Sequence, residues 1–285
     1  MRRGYTLIEI IITIAITGIL SVGMFKAFEA ITLRSEKAKI LTALSIDSQS
    51  ALDQLSLLLY DRAPMSVKSC TNENDCVVMD GIMSGTIVQW YSTASESYQA
   101  GAYSGFVDMN RSVNPNLYTP NTIKIAIENN QSAKWNTSFL WTDMGLVFAG
   151  AFDSGDSSDT YKITMSQDNN ISFTEALPNK PSKIYEKYYL VDSAYAVTRK
   201  ENVKTLCGTK LDTFKNDNDL LLFYNYRPWN SQTFCDGNVS LLAQNVNGFV
   251  AHQINGTIRL GIDMNQTVGN DTTKTVRLSK QKVVF

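Results

Sequence analysis

Residues 5–25 hold a single charge, Glu9, within a largely apolar run that reads TLIEIIITIAITGILSVGMF after Tyr5. At ~1.5 Å per residue a helix of that length spans roughly 30 Å, the thickness of a bilayer's hydrocarbon core. The run starts directly behind Met1-Arg2-Arg3-Gly4. No other feature constrains the chain as much. Such a segment must lie in lipid or against other apolar helices, and the remaining residues must fold as a body attached to its end. A carboxylate inside it is costly without a partner, which marks Glu9 as a functional residue. Arg2 and Arg3 flank one end, and Lys26, Arg34, Lys37 and Lys39 the other, so charge counting does not orient the span.

A cleaved secretory signal would need a shorter apolar run and a small-x-small site after it; a plain single-pass anchor accounts for the length but not for Gly4 and Glu9. A short basic leader ending in Gly4, then Thr6-Leu7-Ile8-Glu9 and a long apolar run, resembles the class III signal of type IV pilins and pseudopilins. Tyr5 stands where phenylalanine is commoner in that family. The resemblance implies that a prepilin peptidase cuts between Gly4 and Tyr5 and methylates the new amine of Tyr5. It also implies that Glu9 pairs with that amine, its own or a neighbour's, as subunits assemble. The division expected is a leader at 1–4, a helix over 5–63 and an extracytoplasmic β-rich domain over 64–285. Within the helix, residues 5–25 are transmembrane and 26–63 amphipathic.

The helix is expected to continue past the membrane because residues 26–63 contain neither Pro nor Gly, and Pro64 supplies the stop. Ile31, Ala38, Leu41, Leu44, Ser48, Ala51 or Leu52, Leu55, and Leu58 or Leu59 recur at three- and four-residue steps, which predicts one buried stripe. Beyond Pro64 the pattern turns to β-branched and aromatic runs. Strands are expected at 86–91, 122–127, 161–164, 184–191, 195–198, 219–226, 246–251, 257–262 and 275–285. Asn-Gly at 247–248 and 255–256 and Asp-Gly at 80–81 and 236–237 read as turns. The fold class is therefore α+β, a long N-terminal helix packed on antiparallel sheet. Leu241-Leu242 followed by Val246 and Phe249, then a strand, is similar to the end of J-type minor pseudopilins and W-type minor pilins.

Four cysteines permit three pairings; their positions favour Cys70 with Cys76 and Cys207 with Cys235 in an exported domain. Zinc is disfavoured by the lack of a Cys-x-x-Cys and by a lone His252. Asp153, Asp156 and Asp159, and the acidic run at 216–219, offer oxygens for calcium without matching the usual loop spacing, so solvated turns are the simpler reading and no cofactor is required. Asn110, Asn130, Asn170, Asn238 and Asn265 each sit in an acidic-x-Asn-x-Ser/Thr pattern that resembles the extended bacterial N-glycosylation acceptor; Asn-rich turn chemistry is the alternative.

Catalysis finds no foothold, with one histidine, no Gly-x-Ser-x-Gly elbow and no phosphate-binding glycine loop. A net charge of −1 and a pI near 5.9 give no electrostatic case for nucleic acid. The function expected is a minor pilin or pseudopilin at the bacterial inner membrane, single-pass, with its C-terminal domain periplasmic. Its partners would be prepilin peptidase, other pilins through the helix, the inner-membrane assembly platform and the lipid bilayer. The alternatives are a tip-displayed binding module, with the loop at 110–121 as its surface, and a membrane-anchored enzyme.

Overall fold

A single helix, α1, runs from Leu7 to Tyr60 without interruption. In the computed structural model residues 6–64, 66–73, 75–149, 160–174, 184–269 and 271–285 are described. At ~1.5 Å per residue the 54 residues of α1 extend about 80 Å. Gly18, Gly23 and Lys26 all lie inside it, and none breaks it. The helix ends at Tyr60, three residues before the expected Ala63. Arg62 ends it from outside: its backbone N–H and its guanidinium both donate to the Leu59 carbonyl, the latter at 2.6 Å, and it bridges to Ser92 in the sheet.

The elements that follow are short strands and helices. They are β1 (Lys68–Cys70), β2 (Cys76–Val78), β3 (Gly81–Ile82), β4 (Ile87–Thr93), α2 (Ser95–Gln99), β5 (Asn116–Tyr118), α3 (Lys124–Trp135) and β6 (Gly145–Phe148). Then come β7 (Tyr161–Gln167), β8 (Asn170–Phe173), β9 (Tyr188–Arg199), α4 (Lys200–Cys207), β10 (Leu220–Tyr226) and β11 (Asn238–Ala243). The chain closes with β12 (Val246–Ile254), β13 (Thr257–Val268) and β14 (Asp271–Val284). Among the described residues the strands form two antiparallel sheets, one of ten strands in the order β2-β1-β4-β9-β6-β7-β8-β5 with β10 and β11 branching from β9, and one of four in the order β14-β13-β12-β3. The architecture is α+β and pilin-like.

The second half of α1 closes the core between the sheets. Leu44, Ala51, Leu52, Leu55 and Leu59 are buried with Ile258, Leu260 and Ile262 of β13 and with Val88 and Trp90 of β4. Lysines on β14 tie the helix down: Lys280 donates to the Ser45 carbonyl at 2.8 Å and Lys282 meets Asp53 at 2.5 Å. The β13–β14 hairpin reaches along the helix as far as Glu36, whose carboxylate accepts the Gly269 N–H at 3.0 Å. The expected stripe therefore needs correction at its start. Ile31, Ala38 and Leu41 are exposed, and Leu33 and Ile40 turn inward instead, because the sheet meets α1 only from about Glu36 onward and on a face centred on Leu44, Ser48 and Leu55.

Three other expectations change. Residues 124–127 form the first turn of α3 where a strand was expected over 122–127, with Thr122 and Ile123 leading into it: Asp168 accepts the Lys124 N–H at 2.7 Å, so the helix start is capped from a distant turn, and Ile127 and Gln131 bury one face. Residues 188–199 form one strand, β9, where two were expected at 184–191 and 195–198. Asn247-Gly248 lies inside β12, at a bulge facing Asp263, whose carboxylate comes within 3.2 Å of where a Cβ on Gly248 would stand. Asn255-Gly256 is a two-residue hairpin turn with φ of 50° and 79°.

Candidate functional site: the bare half of the N-terminal helix

The chemistry of the first helical half is set by what it leaves uncovered. All twelve large apolar side chains from Leu7 to Phe25 are at least half exposed, Ile10 least at 50% and Leu7 most at 78%. Burying such a side chain is worth about 2 kcal/mol, so the set amounts to on the order of 25 kcal/mol that the chain alone does not realise. Among the described residues α1 is the one helix long and apolar enough to cross a membrane.

The polar groups in this half are already satisfied within the helix. The Thr13 hydroxyl donates to the Glu9 carbonyl, Thr17 to the Thr13 carbonyl at 2.6 Å and Ser21 to the Thr17 carbonyl at 2.7 Å. These back-bonds hide each hydroxyl from lipid. Glu9 remains as the one titratable group. Its Oε2 accepts both the Thr6 N–H and the Thr6 hydroxyl, each at 3.1 Å, as in a capping box. Oε1 takes no hydrogen bond among the described residues. The carboxylate thus caps the helix start with one oxygen and keeps the other for a further donor. Gly4 and Tyr5, the expected cleavage and methylation positions, lie outside the described residues.

Residues 1–25 match the family described as the prokaryotic N-terminal methylation motif. This class III prepilin signal supports a place in the type IV pilin and pseudopilin family. Neither the curated proteins nor the solved structures gave a match to the chain. The signal implies processing by prepilin peptidase and assembly with other pilins, and the apolar helix fits a membrane-anchored pilin.

Other residues singled out in the sequence fall apart from this site and from one another. Cys70 is bonded to Cys76 and Cys207 to Cys235. The Glu73 carboxylate lies near both Cys207 and Cys235, but sulfurs joined in a disulfide offer no thiolate to a metal. Asp153, Asp156 and Asp159 lie outside the described residues. In the turn at 216–219, Asp217 meets Lys204 at 2.8 Å and Asp219 accepts the Asn216 N–H. His252 sits half-buried on β12, opposite Arg259 and Ile82.

The five acceptor-like asparagines are scattered. Asn110 and Asn238 are exposed, at a turn and at the start of β11. Asn130 is in α3, and Asn170 and Asn265 are half-buried on β8 and β13. Four of their acidic neighbours have local structural work. Asp108 accepts the Asn110 N–H at 3.0 Å, Asp168 caps α3, Asp236 accepts the Thr233 N–H and Glu128 pairs with Lys124 at 3.0 Å. Turn and helix chemistry thus accounts for much of that pattern.

Sequence reasoning did not find the buried charges beneath α3. Lys134 contacts Asp192 at 2.8 Å and Glu96 at 3.1 Å, with the Asp192 side chain only 2% exposed. Reading residues 122–127 as a strand hid them. A helix there places Gln131 and Lys134 one turn apart, over the sheet.

Proposed function

We propose that this chain is a minor pilin or pseudopilin, a structural subunit that helps initiate or cap a pilus-like filament of a secretion, pilus or competence machine. The observation that carries the reading is the division of α1. Its first half is bare and apolar behind a prepilin signal, and its second half is the core of its own β domain. In this reading a prepilin peptidase cuts between Gly4 and Tyr5 and methylates Tyr5. The free oxygen of Glu9 then pairs with the Tyr5 amine, its own or a neighbour's, which offsets the cost of a lone carboxylate in lipid. The span sits in the inner membrane with the β domain in the periplasm, and the assembly platform draws the subunit into a filament among other pilins. The role is structural rather than catalytic.

The test is complementation of a deletion strain. Wild type should restore filaments or secretion. Glu9→Ala should leave the protein in the membrane, cleaved after Gly4, and reduce assembly at least tenfold. Wild-type assembly by the Ala variant would reject the pairing role. Normal filaments and normal secretion in the deletion strain would reject the subunit role itself.

A further inference from the structure

A small cavity lies where the C-terminal end of α3 meets β9. Its volume is about 20 Å³, room for one water-sized group. Gln131, Trp135, Phe139, Asp143, Asp192 and Arg227 are among its walls, and the exposed Thr137 and Ser138 also line it. Gln131 is 2% exposed and Asp192 1%. Neither the amide oxygen nor the amide nitrogen of Gln131 meets a protein partner, and the same holds for Oδ1 of Asp192 and the indole nitrogen of Trp135. Oδ2 of Asp192 is held by Lys134 at 2.8 Å. An unpaired buried polar atom costs about 1–3 kcal/mol, and more when charged. Four of them on residues that line one hole call for an occupant that pairs with them.

The surroundings decide what that occupant is. A divalent cation would meet the Lys134 ammonium and the Arg227 guanidinium, which already lie 2.8 Å from Asp192 and 3.6 Å from Asp143. An anion would meet those same two carboxylates. An apolar group would leave the polar atoms unpaired. A neutral O–H group fits: it donates to Asp192 Oδ1 or to the Gln131 amide oxygen, and it accepts from the Gln131 amide nitrogen. We propose that this cavity is a hydroxyl-binding site in which water, or a hydroxyl of a neutral polyol, bridges Gln131 and Asp192. Trp135 and Phe139 supply apolar surface to the lining. The site does not depend on how the N-terminal helix is used.

The experiment uses the isotope-labelled full chain in detergent micelles. Water-selective NOE spectra should show long-lived contacts from water to the Gln131 amide protons and the Trp135 indole proton. Glycerol and methyl glucoside are then titrated to tens of millimolar. Displacement of the water contacts, with shifts of the same resonances, identifies a polyol site; unchanged contacts identify a water site. In Gln131→Leu the Trp135 contact should be lost. Gln131→Glu, close in shape and still able to bond an O–H group, should keep it and covers the case in which the Leu variant does not fold. No contact to water and no response to either polyol would overturn the proposal. So would resonances that move with millimolar calcium instead, or a Trp135 contact that survives in a folded Gln131→Leu.

Discussion

Two opposing effects act on the Asp192 carboxylate, and the pH dependence of stability shows which one wins. Burial pushes its pKa from 3.8 up to about 6; the Lys134 ammonium at 2.8 Å and Arg227 pull downward, and Glu96 pushes upward. For Lys134 itself burial works downward, but the charges and hydrogen bonds of Asp192 and Glu96 outweigh it and hold its pKa above 10.5. The two shifts differ because Lys134 shares two carboxylates and keeps 17% of its side chain exposed, whereas Asp192 is sealed. A raised carboxyl pKa means that the folded state holds the proton more tightly than the unfolded chain. The stability tied to this group is then fully present below pH 3.8 and is lost as the pH rises through about 6. At about 1.4 kcal/mol per unit over roughly two units, the loss is about 3 kcal/mol. Asp192→Asn keeps the shape and an acceptor for Lys134 but does not titrate. Across that window the variant should gain about 3 kcal/mol on the wild type. Lys134 stays protonated throughout. Asp53 and Asp217, whose pKa values are lowered by their partners Lys282 and Lys204, are common to both proteins and cancel. The assay is urea unfolding of the full chain in detergent micelles at a series of pH values, followed by tryptophan fluorescence. Parallel curves would refute the reasoning. A wild type that gains on the variant as pH rises would reverse it, placing the ion pair ahead of burial.

Three further outcomes follow from the packing. Leu55→Ala, at a site 1% exposed against β13, should cost about 3 kcal/mol, read as a fall in thermal midpoint, whereas Leu57→Ala, 72% exposed two residues away, should change it by less than about 0.5 kcal/mol. Replacing Cys207 and Cys235 together by Ser should cost about 3–4 kcal/mol on the chain-entropy estimate for a separation of 28 residues, measured as a lower urea midpoint. Gly85→Ala should cost about 3 kcal/mol and lower the folded yield, because a Cβ there would run into the carbonyl of Cys70 on a backbone that cannot give way.

Legibility followed the range of the interaction. The helix of residues 7–60 was visible because its signals are local: an unbroken apolar run, no Pro or Gly over 26–63, and Pro64 just beyond its end. Its buried face was readable from Leu44 on but not before, since the point at which the sheet first touches α1 is set by the reach of the β13–β14 hairpin, 233 residues later in the chain. Residues 122–127 misled because Ile123, Ile125 and Ile127 alternate like a strand, whereas the helix that starts at Lys124 takes its cap from Asp168 in a distant turn. The same holds for Asn247-Gly248, which has the composition of a turn and the job of a bulge. The N-terminal signal was the most legible part, as it lies in consecutive residues. The charges beneath α3 were the least, as they come together only through tertiary packing.

The two halves of α1 meet different energetic demands, and this bears on how such a subunit changes surroundings. The second half is held by its own domain through a shared core and by contacts of Glu36, Ser45 and Asp53 with the final hairpin. The first half leaves on the order of 25 kcal/mol of apolar burial unrealised. Lipid and other apolar helices are two ways of covering the same side chains. Between the halves, Phe28 and Ile31 remain 71% and 64% exposed on a stretch with no sheet beside it. The domain thus stands clear of the bare segment, and the core around Leu44, Leu52 and Leu55 makes no use of it. On the reading proposed above, a neighbouring subunit's N-terminus would bring Glu9 the donor that a carboxylate in lipid needs, and the cost of that carboxylate would favour association over isolation.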